Sequence, residues 1–293
     1  MSDRKPIASS DTAGSTDDRP DAAFQLAFGG YVGALLAGIA AVVAALTTAP
    51  LLFVPGAAVA GFSSGCLVGI AIARRVRGLA ERIGRTRRRR AALVVFSVPF
   101  GAAALASLVG VLESRLAPVA LVVAVAVAVT GSLLGWVAQT RYVDAITGDD
   151  PAAAWPWTPP GNPILDVVVF AMWLLLGGTN AAAGDWLQSI VWFGLAIFWV
   201  CGGLAEGRWR VGSLGDAPEV RIYDAGLVKR RPYTRSLVPW TDISHVRLRE
   251  DELVVDRGFF DVRFDRDELE DLEALQTEIE GRLPDDAPGV WTR

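Results

Sequence analysis

Histidine occurs once in this chain, at His245, and cysteine twice, at Cys66 and Cys201. One histidine excludes a His-clustered metal site, and it leaves none for a Ser-His triad in the apolar part of the chain. Both cysteines fall inside apolar runs, so no disulfide framework is implied. A small polarizable side chain packs easily there, and that reading stands ahead of redox or metal chemistry. Lysine is almost as scarce: Lys5 and Lys229 stand against 26 arginines. The residues form no sequence-evident catalytic constellation, and no cofactor or metal pattern is legible.

What the chain has in excess is apolar sequence. Apolar residues make up 52% of it and its mean hydropathy is +0.36, values that point toward membrane proteins. The excess is confined to roughly the first two thirds, while the segment after Gly207 is dense in charge. The net charge of -4 therefore averages two unlike parts. From Gly207 onward, 14 Lys plus Arg face 19 Asp plus Glu, which argues against a general grip on nucleic acid. The lysine-poor, aspartate-rich balance is of the kind that salt-tolerant proteins carry.

The stretch RRVRGLAERIGRTRRRR, Arg74 to Arg90, orients the apolar part. Its arginines are Arg74, Arg75, Arg77, Arg82, Arg85, Arg87, Arg88, Arg89 and Arg90, against one acid, Glu81. Arginine clusters beside spanning helices stay on the cytoplasmic side, so these nine are expected to determine topology. Runs of spanning length are read at Phe24 to Leu46, Leu51 to Ala73, Ala91 to Leu112, Ala117 to Ala138, Ile164 to Ala183 and Trp186 to Leu204. The first run is too long for the apolar region of a signal peptide and is followed at once by another span, so it is retained as a transmembrane helix. Residues 1–21, polar and without periodicity, read as a disordered tail. Basic residues in the other loops agree with an N-in, C-in arrangement: Arg4, Lys5, Arg19, Arg141, Arg208 and Arg210 lie inside, and only Arg115 lies outside. The expected location is the cell membrane, multi-pass, with both termini cytoplasmic. Trp136, Trp155, Trp157, Trp186 and Trp209 fall near predicted span ends, where indoles suit the membrane-water boundary.

Inside the spans, Gly29 and Gly33, then Gly61, Gly65 and Gly69, then Gly131 and Gly135 recur at four-residue spacing. Such spacing lets backbones approach closely, either within one bundle or across a homo-oligomer face. Asp166 is the clear ionisable candidate, and a place in the first turn of the fifth span suits it to the positive helix end. Ser63, Ser64, Ser97, Thr130 and Asn180 could line a path for a neutral solute. The connector DPAAAWPWTPPGNP, 150 to 163, reads as an extended linker lying at the interface, with recognition of its proline-rich conformation by a partner as the alternative.

The last part has a strand rhythm. Glu219 to Tyr223 alternates, Asp224 to Gly226 turns, and Leu227 to Arg231 continues. Further strands read at Ser236 to Trp240, His245 to Arg249, Leu253 to Arg257 and Phe259 to Phe264. Leu269, Leu272, Leu275, Ile279 and Leu283 then share one helical face, with Asp265 and Glu268 as a capping-box variant at its start. This part is expected to fold apart from the spans. GLVKRRP at 226 to 232 followed by LVPWTDI at 237 to 243 resembles the signature of prokaryotic membrane-anchored PH-like domain proteins, over about a quarter of the chain. The resemblance implies a split β-barrel of seven strands with a C-terminal helix, and docking or assembly at a membrane. Five or six strands are readable, so either Gly207 to Val211 supplies another or the barrel is trimmed.

The expected architecture is thus an α-helical polytopic membrane domain of six transmembrane helices (22–206) followed by a small α+β PH-like split β-barrel with a C-terminal helix (207–293). The expected function is a non-enzymatic interaction or assembly module, integral to the lipid bilayer, with a protein partner on the PH-like domain. A transporter or channel regulated by that domain is the alternative, and an enzyme comes third. Lys229, Arg230, Arg231, Arg235 and Trp240 are the candidate interaction residues: the four cations as a phosphate site or a solvated strand edge, and Trp240 as a packing residue or a ligand stack.

Overall fold

A computed structural model of the chain describes residues 21–47, 53–148, 150–209, 216–258, 261–269 and 271–283. Residues 1–20 of the polar tail, the turn at Thr48 to Pro50 and the pair Arg210 and Val211 lie outside them. Helices α1 (Ala22–Leu46) and α2 (Phe53–Arg75) form an antiparallel hairpin, followed by the short α3 (Leu79–Gly84). Then come α4 (Arg87–Val95), α5 (Val98–Leu108) and α6 (Leu116–Ile146). Six helical stretches are long and apolar enough to cross a membrane, with α4 and α5 together making the third. That span bends between Val95 and Val98, where Pro99 has no N–H to offer the preceding turn and the Ser97 hydroxyl donates to Val94 O at 2.7 Å. The chain is a multi-pass membrane protein by this pattern.

Close packing explains the glycine spacing within one chain. A Cβ on Gly65 would lie 2.7 Å from Gly33 Cα, so α1 and α2 touch backbone to backbone. Cys66 belongs to the same seam, and its sulfur fills the space over Gly33. The arginine loop is folded, since α3 lies against α6 so tightly that a Cβ on Gly84 would fall 2.1 Å from Ala138 O. At 31 residues and about 1.5 Å per residue, α6 exceeds a hydrocarbon core of about 30 Å, and its last turns project beyond it. There Arg141 pairs with Asp21 at 2.5 Å, while Arg74 Nε donates to Gln25 at 2.9 Å. The start of α1, the arginine loop and the end of α6 therefore share one side.

After α6 the connector departs from its sequence reading. Ala153–Pro156 is a strand, β1, followed by the hairpin α7 (Pro163–Ala182) and α8 (Trp186–Glu206). Helix α7 runs unbroken through Gly177 to Asn180 because Thr179 and Asn180 bond back to Leu175 and Leu176 carbonyls, and because Gly177 makes room for the Phe193 ring. Strands β2 (Glu219–Tyr223), β3 (Gly226–Arg230) and β4 (Arg235–Pro239) follow, then a 3-10 turn at Trp240–Asp242. Strands β5 (His245–Leu248), β6 (Glu252–Asp256) and β7 (Val262–Asp265) and helix α9 (Leu272–Glu280) are the last elements among the described residues. Strand β1 pairs antiparallel with β2, Trp155 opposite Val220, giving one sheet in the order β1-β2-β3-β4 and a second in the order β5-β6-β7. Among the described residues a seventh strand is thus supplied from between the fourth and fifth spans; Arg210 and Val211, the other source considered, lie outside them. The α7–α8 hairpin lies in the chain between the first and second strands of this sheet, so a strand before residue 207 pairs with one after it.

The reason lies in the tryptophans. Trp157 is buried among Val220, Ile222, Leu227, Phe264 and Leu272, and its ring meets Phe264 edge-on at 6.2 Å. Trp155, half-buried, packs on the same core, so both indoles contribute to the sheet unit. The Trp157 indole donates to Glu268 at 3.2 Å, and Thr158 N donates to Glu268 O at 2.8 Å. Those bonds hold 265–268 as a turn, so α9 starts later than the periodicity suggests and is capped by Asp271, which accepts from Ala274 N at 2.9 Å. The two sheets are not joined by strand pairing among the described residues, and the barrel is not closed.

Candidate interaction site

Period-two alternation decides where the basic strip goes. On β3, Leu227 and Lys229 point into the core with their cross-strand partners Ile222 and Val220, while Val228 and Arg230 point the other way. That second face rests on the projecting end of α6, where Val143 is buried with Tyr223 and Val228, and Tyr142 packs beside Leu237. The strip is therefore split between two faces, and each cation has a partner inside the molecule. Arg230 pairs with Asp216 and Arg235 with Asp144. The Arg235 backbone N–H donates to Thr140 at 3.2 Å, which fastens the sheet unit to α6. The Arg231 guanidinium lies 5.5 Å from the Trp157 ring centre, and burial pushes its pKa down. Trp240 packs at the edge of the core and donates to Tyr223 O at 3.1 Å, the contacts of a packing residue.

Lys229 is the least expected of the five. Its ammonium sits 4.2 Å from the Phe264 ring centre and 4.9 Å from that of Trp157. Aromatic faces attract the cation. Burial is the larger influence and, with the neighbouring Arg231, lowers the Lys229 pKa to about 8. Across the interval from about 8 up to the usual 10.5, the unfolded chain holds a proton that the folded one has lost, so stability rises with pH over that window. Because the chain has two lysines, 13C-lysine labelling of the detergent-solubilised protein gives two side-chain resonances. The Lys229 resonance is expected to titrate near pH 8; a midpoint near 10.5 for it would contradict the buried placement.

In the membrane part, Asp166 is buried and paired. Its Oδ1 accepts from Arg208 Nη1 at 2.5 Å and its Oδ2 from the Trp209 indole at 3.0 Å, so the carboxylate joins the entrance of α7 to the exit of α8. Sequence spacing hid this pair because 42 residues separate its members. Ser64, Ser97, Thr130 and Asn180 each bond to a carbonyl of the preceding turn of the chain, which satisfies them locally.

The nine arginines divide similarly. Arg89 donates to Arg82 O and Arg90 to Gly84 O, both at 2.7 Å, closing the turn between α3 and α4. Arg75, Arg77 and Arg88 are exposed. Arg85, Arg87 and Arg90 face the sheet unit across a cleft of about 370 Å³, whose far wall holds Arg257 and Asp242. Asp242 belongs to the LVPWTDI segment, but its place beside Arg257 in a cleft is not visible in the sequence, since the cleft exists only where the loop, α6 and the 3-10 turn meet. Comparison of the chain with protein-family models, with curated proteins and with solved structures finds no match in any of the three.

Proposed function

We propose that this multi-pass protein lies in the cell membrane with both termini cytoplasmic and carries a PH-like domain that acts as a non-enzymatic interaction or assembly module. The observation that carries the reading is the way the sheet unit is held. One of its strands leaves the membrane bundle before the fifth span, the others arrive after the sixth, and Arg235 and Tyr223 seat the sheet on α6. A domain so fastened presents its remaining surface at a fixed height and angle. Among the described residues, seven strands with one helix after the last of them, together with the GLVKRRP and LVPWTDI segments, support the PH-like identity. Strand β7 is an edge of its sheet among the described residues, and backbone pairing at such an edge is a route to a protein partner that does not depend on long-range charge.

Two measurements test this. A photo-crosslinking residue at Arg263, exposed on β7, is expected to capture one recurrent protein in the native membrane, while the same residue at Arg75 does not. Equal or absent capture at both positions argues against the module. For orientation, the Thr86→Cys variant is expected to resist an impermeant thiol reagent in intact cells, and labelling from outside would reverse the topology.

A further inference from the structure

We propose that the cleft between the arginine loop and the sheet unit binds the phosphate head group of an anionic membrane lipid, which clamps the two parts together. Arg85 and Arg90 on the loop side and Arg257 on the sheet side face the cleft, with Arg87 beside them and, among the described residues that line it, one carboxylate, Asp242, opposite. Arginine does not discharge by losing its proton in a protein, so Arg85, Arg90 and Arg257 keep their charge in the cleft and an entering anion eases their mutual repulsion. Asp242 is already engaged by Arg257 Nη2 at 3.0 Å, while Arg257 Nε is buried without a hydrogen-bond partner among the described residues. Arg90 gives one N–H to Gly84 O at 2.7 Å and keeps others. The cleft thus offers several donors from planar guanidiniums, the geometry that phosphate oxygens accept in pairs.

The position favours a lipid over a dissolved anion. Arg87 begins the third span, and the Arg90 stem lies on α6, where a Cβ added to Gly135 would be 3.6 Å from Arg90 Cβ. The guanidinium is thereby lifted from the apolar zone to its boundary, as long basic side chains are near span ends. Further along the same span, Val95 and Phe96 are 60% and 58% exposed, apolar surface of the kind that lipid covers. Such a contact also differs from steering by a polybasic surface. Salt at about 1 M cuts the reach of exposed charges to roughly 3 Å, whereas direct bonds inside a cleft lie within that distance. This inference needs the membrane embedding alone and is independent of the PH-like identity.

The test uses the full chain purified in detergent, with phosphatidylglycerol and phosphatidylcholine as probes and native mass spectrometry as readout after a wash at about 1 M salt. One phosphatidylglycerol per chain is expected to remain, and phosphatidylcholine is not. Arg257→Gln and Arg85→Gln are each expected to lower retention about tenfold, the scale of one lost charged hydrogen bond, while Arg75→Gln, outside the cleft, leaves it unchanged. Arg257→Lys, which keeps charge without the planar fork, should fall between. If Arg257→Gln unfolds without lipid, Arg85→Gln on the loop carries the test. Equal retention of both lipids, an equal fall with Arg75→Gln, or full displacement by millimolar inorganic phosphate would overturn a lipid head-group site, the last in favour of a free-anion site.

Discussion

A fragment of residues 208–293 is expected to show no cooperative unfolding, whereas the same fragment preceded by residues 150–162 through a short flexible linker is expected to regain it. The shorter piece lacks β1, which leaves the β2 edge unpaired, and it lacks Trp157, which fills the space between the sheets. Loss of a buried tryptophan costs about 3 to 5 kcal/mol, comparable with the whole stability of a small domain at roughly 5 to 15 kcal/mol. The linker is geometrically permitted because the α7–α8 hairpin returns to its origin: a Cβ on Gly161 would sit 3.7 Å from the Arg208 side chain. Circular dichroism melting of the two fragments decides the matter, with Trp157→Ala in the longer one as the single-residue counterpart. A sharp melt from the shorter fragment would show that the connector strand is dispensable.

Arg208→Ala is expected to destabilise the intact protein by about 3 to 5 kcal/mol, and Asp166→Ala combined with it is expected to restore much of the loss. The single change leaves a carboxylate that is 3% exposed with the Trp209 indole as its remaining hydrogen-bond donor. The double change removes the stranded charge as well. In the other direction, Asp166→Ala alone leaves Arg208 with Glu206 at 3.1 Å and the Trp199 ring at 5.0 Å, so a smaller loss is expected. Because the pair closes the base of the hairpin inserted into the sheet unit, faster proteolysis near Gly161 should accompany the loss of stability. Unfolding in mixed detergent micelles gives the energies. Additive effects of the two substitutions would mean that the charges do not couple.

These two expectations mark where sequence reading stops. Six spans, their pairing into hairpins and the positions of β2 to β7 follow from the chain itself, because each is a local pattern: long uncharged runs, short turns, alternation every second residue and leucines at steps of three and four. Glycine spacing announced close helix packing, but the partner helix became known only when Gly65 met Gly33. Trp155 and Trp157 looked like boundary residues because a tryptophan near a span end and one in a domain core have the same neighbours in sequence. Only the pairing of β1 with β2 across the inserted hairpin separates the two cases. The basic strip was visible as a run of charge, yet which cation enters the core and which meets α6 depends on the face each strand position presents, and Asp144 and Trp157 are far away along the chain. Local periodicity is written in the sequence because backbone geometry repeats every two or 3.6 residues. Long-range partnership is not, because it is chosen by the packing of whole elements, and it was the tertiary structure that set Asp166 on Arg208, Trp157 in the core and Arg257 opposite the arginine loop.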